Sequence, residues 1–312
     1  DGAAEAGGPM KSRRLVLAGL EIRLADFVTL GALIVLTLVA VAFRGRLDKP
    51  ALTIGTSLAV ILVYIVSQSV LLRLRSPWLR FLVRTVSVQL TCLQIYQTAT
   101  GLQRLFFGWQ DDRVLAWEAA VFSVNPVVAV QKYYSPALSE WMFFVYVFYV
   151  VIYPVLGAVI FFKHGEEANE DYLFHLGLVN LLCGLGFILF PVASPMYWPE
   201  IREQLTAPLT ARFFGSVAEW IRANIHTAGG SIPSPHCAVA TVMWAFSYRY
   251  VRPAFYALAP VIVSLYISTF FLRFHYVTDS VTGILAGAFV ILAAPKAVRA
   301  WNAAIERRRT AP

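Results

Sequence analysis

Apolar runs at 26–43, 51–72, 138–162, 172–190, 254–272 and 276–294 dominate the chain. Each approaches the length of about 20 residues that a helix needs to cross a hydrocarbon core of about 30 Å. Lipid offers the backbone no hydrogen-bonding partner, so such runs must satisfy their own N–H and C=O groups as helices. The pattern predicts an all-α fold, a polytopic transmembrane helical bundle. Two further stretches fit less simply. Residues 79–102 carry Arg80, Arg84, Gln89, Gln94 and Gln97 and can span only if these groups face other helices. Residues 235–250 are short for a span, and counting both stretches gives about eight membrane helices.

Composition removes the soluble alternatives, since the chain is 58% hydrophobic and only 14% charged, with a mean hydropathy of +0.65. The net charge of +8 is scattered between apolar runs and forms no basic stripe, so it indicates topology and attraction to lipid phosphate rather than nucleic-acid binding. Basic residues at the N-terminal segment, 73–80, 249–252 and 296–309 fall on one face, which the positive-inside rule makes cytoplasmic. Segments 104–137, 191–234 and 273–275 then share the opposite face. The short chain and compact basic tail suggest a bacterial inner (plasma) membrane. One transmembrane domain over 26–295 is expected, between a disordered cytoplasmic segment 1–25 and a basic cytoplasmic tail 296–312. The first ten residues are small and polar and carry no fold information; the basic stretch after them lacks a cleavage site and predicts an uncleaved start. Cys92, Cys183 and Cys237 lie in or beside apolar runs without a paired spacing, which argues against a disulfide framework or zinc site.

The chemistry-bearing residues sit in two places. Residues 229–238 read GGSIPSPHCA, in which Ser234 suits an N-cap and Pro235 the first helical position. The helix end would open beside Ser231, Ser234 and His236 as a phosphate cradle containing a proton donor. Residues 273–283 read RFHYVTDSVTG, where His275 and Asp279 share a helix face, so the carboxylate can orient the imidazole. By the alternation of spans, both motifs meet outside the cytoplasm.

SIPSPH and HYVTDSVTG resemble the second and third signature motifs of the type 2 phosphatidic acid phosphatase (PAP2) superfamily. The stretches YSPALSEWMFFVYVFYVVIYP and NLLCGLGFILFPVASPMYW are similar to its inositol-phosphotransferase-like branch, which includes inositol phosphorylceramide synthase and is related to sphingomyelin synthases. The resemblance covers roughly 125–287. It implies a core of about six of the helices, with extra N-terminal ones. It also implies that His275 is the nucleophile, that Asp279 orients it, and that His236 protonates the leaving oxygen. Ser234 and the backbone after Gly230 would hold phosphoryl oxygens, with Ser231 beside them, and neither metal nor cofactor would be needed. The superfamily's first motif is absent, because the only Arg-Pro is Arg252 with Pro253 and residue 245 is Ala. The arginine six before the second histidine is Thr269, while Arg273 stands two before it as in the branch. Arg273 is therefore the first candidate to neutralise phosphate, ahead of Lys132, Arg202, Arg212 and Arg222.

The implied enzyme moves a phosphoryl group from a membrane lipid to a lipid or polyol hydroxyl through a phosphohistidine, as a phospholipid or sphingolipid head-group phosphotransferase. With water as acceptor it would be a lipid phosphatase acting on phosphatidate or a polyprenyl phosphate. A non-catalytic lipid-binding or transport protein is the remote alternative. His164, His175 and His226 read as structural, and Glu140 and Asn180 as interhelical hydrogen-bonding groups. Aromatic residues in 111–134 and 191–225 mark interfacial segments.

Overall fold

The computed structural model describes residues 10–17, 20–224 and 228–310; residues 1–9 of the polar leader, and His226, lie outside the described residues. A short hairpin, β1 (Leu15–Leu17) with β2 (Leu20–Ile22), precedes the bundle. Helices α1 (Leu24–Ala42), α2 (Pro50–Leu71) and α3 (Pro77–Leu102) follow. Then come α4 (Asp111–Val121) and α5 (Pro126–Ala129), which continues as a 3-10 turn over Val130–Tyr133. The chain proceeds through α6 (Pro136–His164), α7 (Glu166–Leu189), α8 (Pro199–Arg202), α9 (Phe213–Asn224), α10 (Pro235–Tyr250), α11 (Arg252–Phe271) and α12 (Val277–Thr310).

Six helices, α1, α2, α6, α7, α11 and α12, are long and apolar enough to cross a membrane, matching the six unambiguous runs. The two less secure stretches are α3, rich in polar residues, and α10, only 16 residues long. Helix α10 is largely buried against α7, α11 and α12, whereas α3 packs on α1, α2 and α7 through its polar face and leaves Leu79, Leu82, Val86, Leu90 and Leu93 exposed on the other. Helix α4 and the α5 turn bend by 70° at their junction, and together they are apolar enough to count as one broken span. That pair lies in the stretch the charge pattern places outside the membrane.

The charged groups within the bundle find partners in neighbouring helices, which is what lipid demands. Arg84 of α3 forks onto Glu170 of α7, with both nitrogen–oxygen distances 2.7 Å, and also bonds Asp26 of α1 and the Tyr64 hydroxyl of α2. Arg23 pairs with Glu166 and Glu170. This cluster explains why α7 starts six residues before its apolar run, because Glu166 and Glu170 are held by arginines. Gln94 donates to Thr56 and Ser57 of α2. Asn180 departs from expectation: its amide bonds the Leu176 carbonyl of its own helix, one turn back, and not a neighbouring helix. Glu140 does reach another helix, accepting from the Arg212 and Phe214 N–H groups at the start of α9. His164 and His175 bond the Tyr250 and Asp171 carbonyls, a structural use of both rings. The three cysteines are buried free thiols.

The described part of the N-terminal segment is held against the far end of α12, which continues helically through the basic tail. Arg13 pairs with Glu306, the Trp301 indole donates to the Arg13 carbonyl, and Asn302 to the Lys11 carbonyl. Both chain ends therefore meet at one end of the bundle, and the start of α12 lies at the other.

That start is placed by contact with α10. A Cβ on Gly283 would lie 2.4 Å from the Ser234 carbonyl oxygen, and one on Gly287 would lie 2.7 Å from that of Ala238. Glycines one turn apart let the two backbones touch, as small residues do at membrane helix crossings. Gly283→Ala must push α12 off α10, so turnover should fall roughly a hundredfold in protein that still inserts. Gly31→Ala, in open space, should leave it unchanged, and equal rates for the two variants would show that the crossing does not position the site.

Candidate active site

The turn before α10 depends on two glycines at positive φ, Gly229 at 104° and Gly230 at 67°, where a side chain would be strained. Their lack of Cβ also lets Gln103, Tyr96 and Thr100 of α3 press against the turn. Gln103 clamps it, donating to the Ala228 carbonyl at 2.9 Å and accepting the Gly230 N–H at 3.0 Å. Pro235 occupies the first helical position, and the Ser234 carbonyl accepts from Ala238 at 3.0 Å. The Ser234 side chain does not cap the helix: its hydroxyl is fully buried and has no hydrogen-bond partner.

At the α12 start, His275 Nδ1 lies 3.4 Å from Asp279 Oδ2. The same carboxylate accepts the Tyr276 N–H at 3.0 Å. Asp279 is fully buried and His275 4% exposed. The carboxylate stands on the Nδ1 side of the ring without a formed hydrogen bond, which leaves Nε2 on the far side, the orientation required of a nucleophilic imidazole. The Ser234 N–H donates to the Asp279 carbonyl at 2.9 Å, tying the two motifs together. His236 faces His275 with ring centroids 5.6 Å apart and planes at 65°. Tyr146 of α6 stacks on His236 at 4.4 Å, with Tyr149 tilted against it at 4.8 Å. Tyr146 also stacks on Phe274, so one aromatic column links both histidine segments.

Helix α4 braces this arrangement. Asp111 accepts the Ala193 and Ser194 N–H groups at 2.8 and 3.2 Å and the Tyr276 hydroxyl at 3.1 Å. Glu118 accepts the Thr278 N–H at 2.9 Å and its hydroxyl at 3.2 Å, capping α12 with a carboxylate. Thr269, standing where the superfamily has arginine, bonds Ser280 at 2.6 Å and accepts the His275 N–H through its carbonyl at 3.1 Å.

The predicted residues His236, His275, Asp279, Ser231, Ser234 and Gly230 are thus adjacent. Arg273 is placed differently. Its backbone has φ 70°, and its guanidinium bonds the Tyr134 hydroxyl, Gln131 and the Ala207 carbonyl while lying over the Tyr134 ring. These contacts brace the 204–212 loop and do not reach either histidine. Lys132 lies over the Tyr133 ring. Among the described residues, no group of three or more His, Cys, Asp or Glu is arranged to hold a metal ion.

The motifs did not disclose Tyr146, Tyr149, Asp111, Glu118, Gln103 or Ser194. A partial signal existed, since Tyr146 and Tyr149 are three apart, and Asp111 and Glu118 seven apart, on single helix faces. What each face meets is tertiary information. Burial raises the Asp111 carboxyl most; its N–H and hydroxyl donors lower it, Asp279 raises it, and the net effect pushes it up to about 6 from 3.8. Burial likewise raises Glu118. A folded value above the unfolded one means the contribution of Asp111 to stability is complete below pH 4 and is lost as pH rises through 6. Wild-type protein should therefore lose up to about 3 kcal/mol more stability between pH 4 and 7 than Asp111→Asn. Identical pH dependence of denaturation midpoints would contradict this account.

A family model described as the PAP2 superfamily matches residues 112–294. No curated protein and no solved structure gives a match to the chain. The family match takes in α4, the aromatic column of α6, both histidine segments and the glycine crossing, more than half of the chain, and the protein belongs to the PAP2 superfamily.

Proposed function

We propose that this protein is a phospholipid or sphingolipid head-group phosphotransferase of the inositol-phosphotransferase-like branch, working through a phosphohistidine on His275. The superfamily supports phosphatase or phosphoryl-transfer chemistry on a membrane lipid in general. The observation that carries the phosphohistidine chemistry is the paired arrangement of His236 and His275 at 5.6 Å, with Asp279 behind Nδ1 of His275. In the first step His275 Nε2 attacks phosphorus and the bond to the leaving oxygen breaks as protonated His236 gives that oxygen its proton. In the second, His236 takes the proton of the acceptor hydroxyl, whose oxygen attacks phosphorus, and the N–P bond breaks to regenerate His275. The α10 N-terminus and buried hydroxyls stabilise charge on the phosphoryl oxygens. Transfer is favoured over hydrolysis by burial, since His275, Asp279, Ser231 and Ser234 are each at most 4% exposed, an environment that restricts water.

The proposed topology places both termini in the cytoplasm and the histidines on the extracytoplasmic side of a bacterial inner membrane, in a single transmembrane domain over 26–295. Support comes from the meeting of both chain ends at one end of the bundle, where Arg13, Arg14 and Arg23 also gather. Donor lipid then enters from the outer leaflet.

Product analysis in liposomes tests the proposal. Phosphatidate, a polyprenyl phosphate and a phosphatidyl head-group lipid are supplied as donors, each with and without ceramide or diacylglycerol. A new phospholipid formed only with an acceptor is expected. Free phosphate released without any acceptor would make the protein a phosphatase, and no product under either condition would contradict the catalytic reading.

A further inference from the structure

The loop between α7 and α8 holds a serine in a conformation that suits glycine better. Ser194 has φ 94°, in the left-handed region where a Cβ is strained. Its backbone is fully engaged: the N–H donates to Asp111, and the carbonyl accepts from Tyr197 and Trp198, both at 3.0 Å. Its side chain is not. The residue is fully buried, yet its hydroxyl has no hydrogen-bond partner, an uncommon condition for a group that can rotate to find one.

The position of this hydroxyl gives the orphan meaning. The Ala193 carbonyl accepts the Gly229 N–H at 3.1 Å, which lays residues 193–194 alongside the glycine turn. Asp111 Oδ1 accepts both the Ser194 N–H and the hydroxyl of Tyr276, the neighbour of His275. Val192, Ile232 and Tyr276 share one apolar cluster beneath. The Ser234 hydroxyl, at the α10 N-terminus, is equally buried and equally unpartnered. Two orphaned hydroxyl donors thus border a site whose expected cation, Arg273, is committed to Tyr134, Gln131 and Ala207.

We propose that Ser194 is a phosphoryl-binding residue, donating its hydroxyl together with Ser234 to the non-bridging oxygens of the transferred phosphate. Asp111 is its positioning residue, fixing the loop through two backbone N–H groups while holding Tyr276 in register with His275. Hydroxyl donors and a helix N-terminus can hold a tetrahedral anion without a cation at the same point. The assignment rests on the phosphoryl-transfer reading and extends it to a loop that carries neither histidine motif. It also accounts for serine at a glycine-like position, because glycine would relieve the backbone and remove the donor.

The test is direct binding of orthovanadate and inorganic phosphate to the purified full-length protein, compared with Ser194→Gly and Ser194→Ala. The glycine variant removes the hydroxyl while relaxing the backbone, so a folding defect cannot explain its behaviour if its melting temperature is at or above that of wild type. Both variants are expected to bind each anion roughly tenfold more weakly, the loss typical of one hydrogen bond to a charged group. Wild-type affinity in Ser194→Gly would overturn the assignment, whether or not Ser194→Ala is impaired. Wild-type protein that binds neither anion would overturn it as well. Lipid-donor turnover, measured separately on wild type, decides the phosphoryl-transfer reading itself, so the two can fail independently.

Discussion

The contact between α10 and α12 at Gly283 and Gly287 carries the arrangement of the site. Each motif alone is a helix start with a histidine near it, and chemistry arises only when the two starts are superimposed. Backbone-to-backbone approach achieves this, and the bond from the Ser234 N–H to the Asp279 carbonyl locks the register. The remaining helices then act on a fixed pair. Helix α6 supplies Tyr146 and Tyr149 to hold the His236 ring, α3 supplies Gln103 to hold the glycine turn, and α4 supplies Asp111 and Glu118 to hold the start of α12.

Polar groups concentrate at the two ends of the bundle and serve different ends. Near the chain termini, Arg84, Arg23, Asp26, Glu166 and Glu170 pair among themselves, and that closure makes them structural. Removing one member would leave its partner charged and buried, a large cost in a low-dielectric interior. At the histidine end the accounting does not close. The hydroxyls of Ser194 and Ser234 and one oxygen of Asp279 are buried without a hydrogen-bond partner. Buried atoms without a hydrogen-bond partner also occur at the other end, in Arg23, Thr85, Asn169 and Asp171, so what marks the histidine end is such groups standing where two helix starts are brought together.

Much of this was legible in the sequence because lipid restricts the solutions. The six long apolar runs had to be helices, and Arg80, Arg84 and Gln94 had to face partners. His236, His275 and Asp279 were legible because their chemistry is tied to local spacing: an N-terminal turn in one case, four residues on a helix in the other. Arg273 shows the limit of that approach. Its position two before His275 pointed to phosphate, but its positive φ and the proximity of Tyr134 and Gln131 turn its side chain toward the 204–212 loop. Asp111 and Ser194 were hidden for the complementary reason, since they matter through contacts 82 to 165 residues distant in the chain. Asn180 looked interhelical by composition, but the nearest acceptor for its amide is a carbonyl one turn back on its own helix.

Covalent capture tests the central claim most directly. Purified protein is quenched during turnover of a donor lipid labelled in the phosphoryl group, and acid-labile phosphate is mapped along the chain. The account predicts label on His275 alone, chased off by acceptor and absent from His275→Ala. Label on His236, or turnover with no covalent phosphate at any histidine, would contradict it.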